Sequence, residues 1–226
     1  MFVFCVSLAF SFEKKERMSL SADGIDKLVI DSGSGFLYVT GEDSLRSIEV
    51  EAEIIVKGKS EKDIEDYVKN YVQLELKKQG NKAFLVSLFK NQFPNINFRE
   101  RVINLTVQIP KNMSVEVEDG SGEVKIEHID GNLQIDDGSG DISVCDILGD
   151  VDIDDGSGIV DVSNVTGSVT IDDGSGTIKV NDIGKNVEVR DGSGSITIDG
   201  VVGDVVIKDD GSGSVNIKNV GGRVIK

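Results

Sequence analysis

The chain of 226 residues has no tryptophan, one histidine, two cysteines and two prolines, and only 5% of its residues are aromatic. Each scarcity excludes something. With one histidine, His128, a Ser-His-Asp triad or a histidine-rich metal site has too few members, and a lone copy reads as a solvent-facing residue. The serines that recur in this chain also sit in Asp-Gly-Ser-Gly rather than Gly-x-Ser-x-Gly. No aromatic residue follows Phe98, so the second half lacks the platforms on which glycan-cleaving sites stack sugars. These absences exclude an enzyme.

Basic residues are scarce where it matters. Residues 1–118 carry 18 acids and 16 bases, whereas residues 119–226 carry 22 acids and 8 bases, so nearly all of the net charge of -16 lies in the second half. Such a surface repels phosphates, which excludes nucleic acid as a partner and favours cations or basic proteins. No apolar run is long enough to span a bilayer. The first 12 residues, MFVFCVSLAFSF, fit the apolar end of an export signal whose basic start is missing, with a small-residue exit at Ala9 or Ser11. The alternative is an ordinary first strand. Removal of the signal would take Cys5 with it and leave Cys145 as the single thiol, with no internal disulfide.

What is present is repetition. DGSG begins at Asp119, Asp137, Asp155, Asp173, Asp191 and Asp210, at spacings of 18, 18, 18, 18 and 19. A fixed short period denotes a solenoid. Within each 18 lies a half-period of 9, Gly-x-[VIL]-x-[VI], seen at Gly131/Leu133/Ile135, Gly140/Ile142/Val144 and Gly149/Val151/Ile153. Apolar residues two apart predict strands with one buried face, two per coil. Ile129, Ile147, Val165, Ile183, Val201 and Val220 stand two residues before alternate glycines, with Lys185 in place of the glycine after Ile183, and they are expected to turn inward and plug one edge of the flattened coil. The fold class is therefore all-β, a single-stranded parallel β-helix or β-solenoid with 18-residue coils; the pattern itself does not give the hand, and the chirality of parallel crossovers favours right-handed.

The first half carries the same pattern less regularly. Gly35/Leu37/Val39 follow a DSGSG corner, and Ile48 to Val56 and Ile103 to Ile109 alternate. Between them, near residues 57–98, a small helix-containing insert is expected: Ser60-Glu61-Lys62-Asp63 begins a helix, and Gln79-Gly80-Asn81 joins two hairpin strands. The domain reading is thus 1–12 signal segment, 25–118 irregular coils with the insert, and 119–226 the regular DGSG solenoid.

With this repeat, the entry stretch INLTVQIPKNMSVEVEDGSGEV and the apolar start, the chain resembles the DUF4097-type putative adhesins over roughly residues 25–226. The resemblance implies a bacterial β-strand repeat protein related to adhesin-head β-helices. It also implies a periplasmic, cell-surface or secreted location, and it brings no catalytic residues.

The sharpest site hypothesis is calcium. Stacked coils would align Asp137, Asp155, Asp173 and Asp191 in one column and Asp136, Asp154 and Asp172 in a second, a density of hard oxygen ligands that suits Ca²⁺. Against it, the position where a calcium roll has its metal-binding aspartate holds Ile142, Val160 or Ile178 here. The structural reading is that each aspartate accepts backbone N–H bonds from the following Ser-Gly in an Asx-type turn. A phosphate cradle fails because each GSG leads into a strand rather than a helix. The functional expectations are three: a non-enzymatic envelope or secreted surface binding an unknown protein or surface partner, a cation-binding solenoid, or an accessory regulatory module of an envelope system. A monomer or weak oligomer is expected.

Overall fold

The computed structural model describes residues 10–58, 61–90 and 99–226. It contains twenty strands and one helix among those residues, and the strands form two ten-stranded sheets. Sheet A runs β1 (Phe10–Ser21), β4 (Ser47–Gly58), β7 (Glu100–Pro110), β3 (Leu37–Glu42), β9 (Val124–Ile129), β11 (Ile142–Ile147), β13 (Gly158–Val165), β15 (Gly176–Ile183), β17 (Ser193–Val201) and β19 (Ser212–Val220). Sheet B runs β20 (Val224–Ile225), β18 (Val205–Asp209), β16 (Val187–Asp191), β14 (Val169–Asp173), β12 (Val151–Asp155), β10 (Leu133–Asp137), β8 (Ser114–Asp119), β2 (Lys27–Ser32), β6 (Lys82–Phe89) and β5 (Val72–Gln79). In the DGSG half the chain alternates between the two, from β8 (Ser114–Asp119) in sheet B to β9 (Val124–Ile129) in sheet A. It continues to β10 (Leu133–Asp137) and β11 (Ile142–Ile147), then through successive coils to β19 (Ser212–Val220) and β20 (Val224–Ile225). Every pairing between successive coils of this half is parallel; it joins residues 18 apart in the earlier coils, as in Ile135↔Ile153 and Val144↔Val162, and 19 apart in the last, as in Ile196↔Val215. Two broad faces per coil follow from the 9-residue half-period, as expected.

The core is a stack of aliphatic layers. Leu133 and Ile135 from sheet B face Ile142 and Val144 from sheet A, all at most 2% exposed, and later coils repeat the arrangement with valine and isoleucine. Branched side chains suit this setting because their restricted rotamers cost little on a pleated surface. Ile129, Ile147, Val165, Ile183 and Val201 are buried at the predicted edge. They arrive there because the preceding residue is left-handed: φ is 61° at His128, 58° at Asp146, 55° at Asn164, 58° at Asp182 and 52° at Asn219, with Gly200 at 75°. One left-handed residue breaks the two-residue alternation, so the aliphatic three positions after the last inward residue also points inward.

The single 19-residue spacing has a physical cause. The β16 (Val187–Asp191) to β18 (Val205–Asp209) pairing shifts register between Val189 and Arg190, the extra residue being absorbed as a bulge.

The N-terminal half departs from a purely parallel coil. β6 (Lys82–Phe89) pairs with β2 (Lys27–Ser32), and β7 (Glu100–Pro110) with β3 (Leu37–Glu42), both in parallel. The β6–β7 coil therefore lies outside the β2–β3 coil, although it follows it in sequence. Beyond it β1 (Phe10–Ser21) pairs with β4 (Ser47–Gly58), β4 with β7, and β5 (Val72–Gln79) with β6, all antiparallel. The expected hairpin across Gly80 is present, and both of its strands extend sheet B. α1 (Glu61–Tyr71) buries Ile64 and Tyr67 and contacts β1, β4 and β5 at this end. Tyr67 stacks on Tyr71 and Phe89, with centroids 5.5 and 5.9 Å away, and accepts a 2.8 Å hydrogen bond from Arg101 Nη1.

Of the expected signal segment, Phe10 to Phe12 open β1, and residues 1–9, including Cys5, lie outside the described residues. No helix among the described residues is long and apolar enough to cross a membrane.

Candidate functional site

The candidate aspartates separate into two ladders with opposite environments. In the pattern of β10, β12 (Val151–Asp155), β14 (Val169–Asp173) and β16, the first, third and fifth residues point inward. The fifth is the aspartate of DGSG. Asp119, Asp137, Asp155, Asp173 and Asp191 are thus in register across five adjacent strands. They are 5%, 2%, 1%, 1% and 0% exposed. Asp210, beyond the bulge, is exposed.

Each corner has the same local chemistry. Oδ1 of Asp137, Asp155, Asp173 and Asp191 accepts the N–H of the serine two residues on, at 3.2, 3.1, 2.9 and 2.9 Å. This is the expected Asx-type turn. The backbone carbonyls of Asp119, Asp137, Asp155 and Asp173 accept the N–H of the next coil's glycine, for example Gly156 N–H to Asp137 O at 2.9 Å, whereas beyond the bulge Gly211 N–H turns to Asp209 Oδ1 at 3.0 Å. At the head of the column Asp119 Oδ1 accepts the Ser32 hydroxyl. Oδ2 of all five aspartates is buried and has no hydrogen-bond partner.

Burial therefore opposes ionisation along the whole column. Asp137 and Asp173 are pushed up to about 6, first by desolvation and then by the like charges of neighbouring column members. Asp119, Asp155 and Asp191 are raised as well, again chiefly by burial. Among the described residues no three His, Cys, Asp or Glu side chains form a group able to hold a metal ion. The four calcium candidates, Asp137, Asp155, Asp173 and Asp191, are brought together in a column, but each is turned into the coil with one oxygen committed to a turn.

The second ladder faces outward from sheet B. Asp31, Glu118, Asp136, Asp154 and Asp172 are in register on β2, β8, β10, β12 and β14. Arg190 on β16 ends the row, its Nη1 2.6 Å from Asp172 Oδ2. Glu116 and Asp152 lie in the neighbouring row, with Lys27 Nζ 2.9 Å from Glu116. Asp154 is raised by partial desolvation and by the charges of Asp136, Asp172 and Asp152. Strands in one sheet stand about 4.8 Å apart, so this is a straight line of like charge.

His128 is exposed at its left-handed corner, with Nε2 3.4 Å from Asp146 Oδ2. Cys145 is half-buried and free. Neither joins a catalytic constellation. Two features escaped the sequence reading. The outer row begins one coil earlier than the DGSG repeat, at Asp31, because β2 is stacked there out of chain order. The left-handed ladder was legible in principle, since positions 128, 146, 164, 182, 200 and 219 hold only His, Asp, Asn or Gly, the residues that tolerate positive φ.

Comparison with known proteins agrees with this geometry. A crystal structure of a putative adhesin from Bacteroides fragilis is similar in fold, with a TM-score of 0.52 at 17% identity over 93% of this chain and 96% of that one. A putative cell adhesion protein from Clostridium sporogenes aligns with a TM-score of 0.45 at 14% identity over 92% of this chain and 99% of that one. No curated protein matches. The model of the Toastrack DUF4097 family matches residues 25–221, from β2 to the end of the last long strand, and the chain belongs to that family.

Proposed function

We propose that this protein is a non-enzymatic, exported β-solenoid whose outer sheet B face is an interaction surface for a basic partner. The observation that carries the reading is the outward row Asp31, Glu118, Asp136, Asp154 and Asp172, which crosses five strands before a base, Arg190, joins it. A row of carboxylates on a rigid, flat sheet is pre-organised for a cationic surface, since little side-chain or loop ordering remains to be lost on contact. The adhesin descriptions of the similar structures support an interaction role. Export fits that role, and the family match together with the apolar start supports it.

The test compares faces at constant charge. The whole chain is passed over a polylysine-coated sensor as wild type, as Asp136→Lys/Asp154→Lys on the outer face of sheet B, and as Asp161→Lys/Asp199→Lys on sheet A. The sheet B variant is expected to lose on the order of tenfold or more in affinity, and the sheet A variant much less. Equal losses from the two variants would refute a face-specific surface. Intact mass of the protein recovered from its native compartment tests export separately.

A further inference from the structure

The buried column has a chemistry distinct from that of the outer row. Five carboxylates stand in register, each shielded from water, and each leaves Oδ2 without a donor. A buried anionic oxygen that accepts nothing is costly, whereas a carboxylic acid needs only an acceptor for its own proton. Column members directly above and below stand one strand spacing away, about 4.8 Å, close enough for each charge to disfavour the next, a penalty that a neutral acid does not carry. No metal-holding group stands among the described residues to take the proton's place.

We propose that Asp119, Asp137, Asp155, Asp173 and Asp191 form a proton-holding ladder that takes up protons from water in weak acid, where exposed aspartates have lost theirs, so that mild acidification tightens the stacking of the coils.

The turn N–H groups and the Ser32 hydroxyl hold each Oδ1 against protonation, and burial with the surrounding charges outweighs them. The inward positions of the facing strands β9, β11, β13 (Gly158–Val165), β15 (Gly176–Ile183) and β17 (Ser193–Val201) are valine and isoleucine, which offer no counter-charge. Asp141, before β11, bears on Asp155, and Asp154 and Asp172 bear on it and on Asp173 from their own strands. Asp209 and Asp210 bear on Asp191 from the last bulge. At the other end Ser32 of β2 donates to Asp119, and Arg101 of β7 and Glu118 line the same surface groove. Apart from Arg101 at that end, every charged group named here is another carboxylate. The upward displacement of all five aspartates agrees with this arrangement.

The direct test is a carboxyl ¹³C titration of the whole chain labelled at aspartate. At least two resonances are expected to titrate near pH 6, well above the ordinary range of exposed aspartates, and one should vanish in each of Asp137→Asn and Asp173→Asn. Titration of every aspartate within the ordinary range would overturn the proposal, and this reading needs only the wild type. A second measurement uses thermal melts at pH 5 and pH 8. Asparagine mimics the neutral acid, so Asp173→Asn should melt at or above the wild type at pH 8 and show a smaller gain on acidification. Asp136→Asn, on the outer row, should keep most of the wild-type response. If Asp173→Asn kept the full wild-type gain, the ladder would not be the source of it.

Discussion

Replacing Gly158 by alanine tests the stacking geometry at one of its tightest points. Gly158 has φ of 153°, and a Cβ built on it would lie 1.6 Å from the carbonyl oxygen of Gly140 in the coil beneath. A carbon and an oxygen need about 3.2 Å, so the two coils would have to part by roughly 1.6 Å at this corner. The corner is held by the Gly140 N–H to Ser157 O bond at 3.0 Å and the Gly156 N–H to Asp137 O bond at 2.9 Å, and neither survives such a displacement. Loss of two such bonds costs about 1–1.5 kcal/mol each, and the unfavourable φ adds about 1–3 kcal/mol. The expected destabilisation is about 3–6 kcal/mol, read as a shift in the denaturant midpoint. Gly80→Ala is the control: Gly80 also has positive φ, at 62°, but nothing lies within 4 Å of its added Cβ, so only about 1–2 kcal/mol is expected. Equal, small losses at both positions would refute the claim that close backbone approach, rather than turn conformation, fixes glycine at the corner.

Four further outcomes follow from the same geometry. Because Asp137 and Asp173 sit at about 6 in the folded chain against 3.8 as the ordinary value, the folded state binds more protons between those pH values. Their contribution to stability is therefore fully present below about pH 4 and is lost as pH rises through about 6, by up to roughly 3 kcal/mol per group and less where water screens the charge, which denaturant melts of the wild type and Asp173→Asn across pH will show as a difference. Tyr67→Ala removes the buried anchor of α1 and should cost about 3–5 kcal/mol locally, with hydrogen exchange rising in β1, β4 and β5 while the DGSG coils stay protected. Asn164→Val places a β-branched residue at φ of 55° and should lower stability by about 1–2 kcal/mol or more, whereas Asn164→Gly should be close to neutral by the same melt. Arg190→Ala breaks an exposed ion pair and should cost no more than about 1 kcal/mol in the same assay.

The regular half was legible because its signals agree at every level. The spacing of 18, the half-period of 9 and the inward-turning Ile129 and Ile147 each follow from one chain direction and one register, and the structure reproduces them. The N-terminal half was less legible for a topological reason. Alternation at Ile48 to Val56 and Ile103 to Ile109 identifies strands with one buried face, but it does not say that β4 lies antiparallel to β7 or that the β6–β7 coil stacks outside β2–β3. Those partners are chosen by long-range pairing, which a local pattern does not encode. For the site, the sequence placed Asp137, Asp155, Asp173 and Asp191 in one column and anticipated their turn bonds. It did not distinguish an inward column from an outward one, because Asp136 and Asp137 are adjacent and identical in type. The parity of the strand decides between them: Asp137 shares the face of Leu133 and Ile135, and Asp136 does not.

If the DGSG aspartate is a buried corner rather than a calcium ligand, calcium leaves the stability of the fold unchanged. The most direct measurement is the melting temperature of the full chain at pH 7 in millimolar Ca²⁺ and in chelator, for the wild type and for Asp155→Asn. Unchanged melting of the wild type between the two conditions is the predicted result. A rise of several degrees in Ca²⁺ that disappears in Asp155→Asn would contradict it.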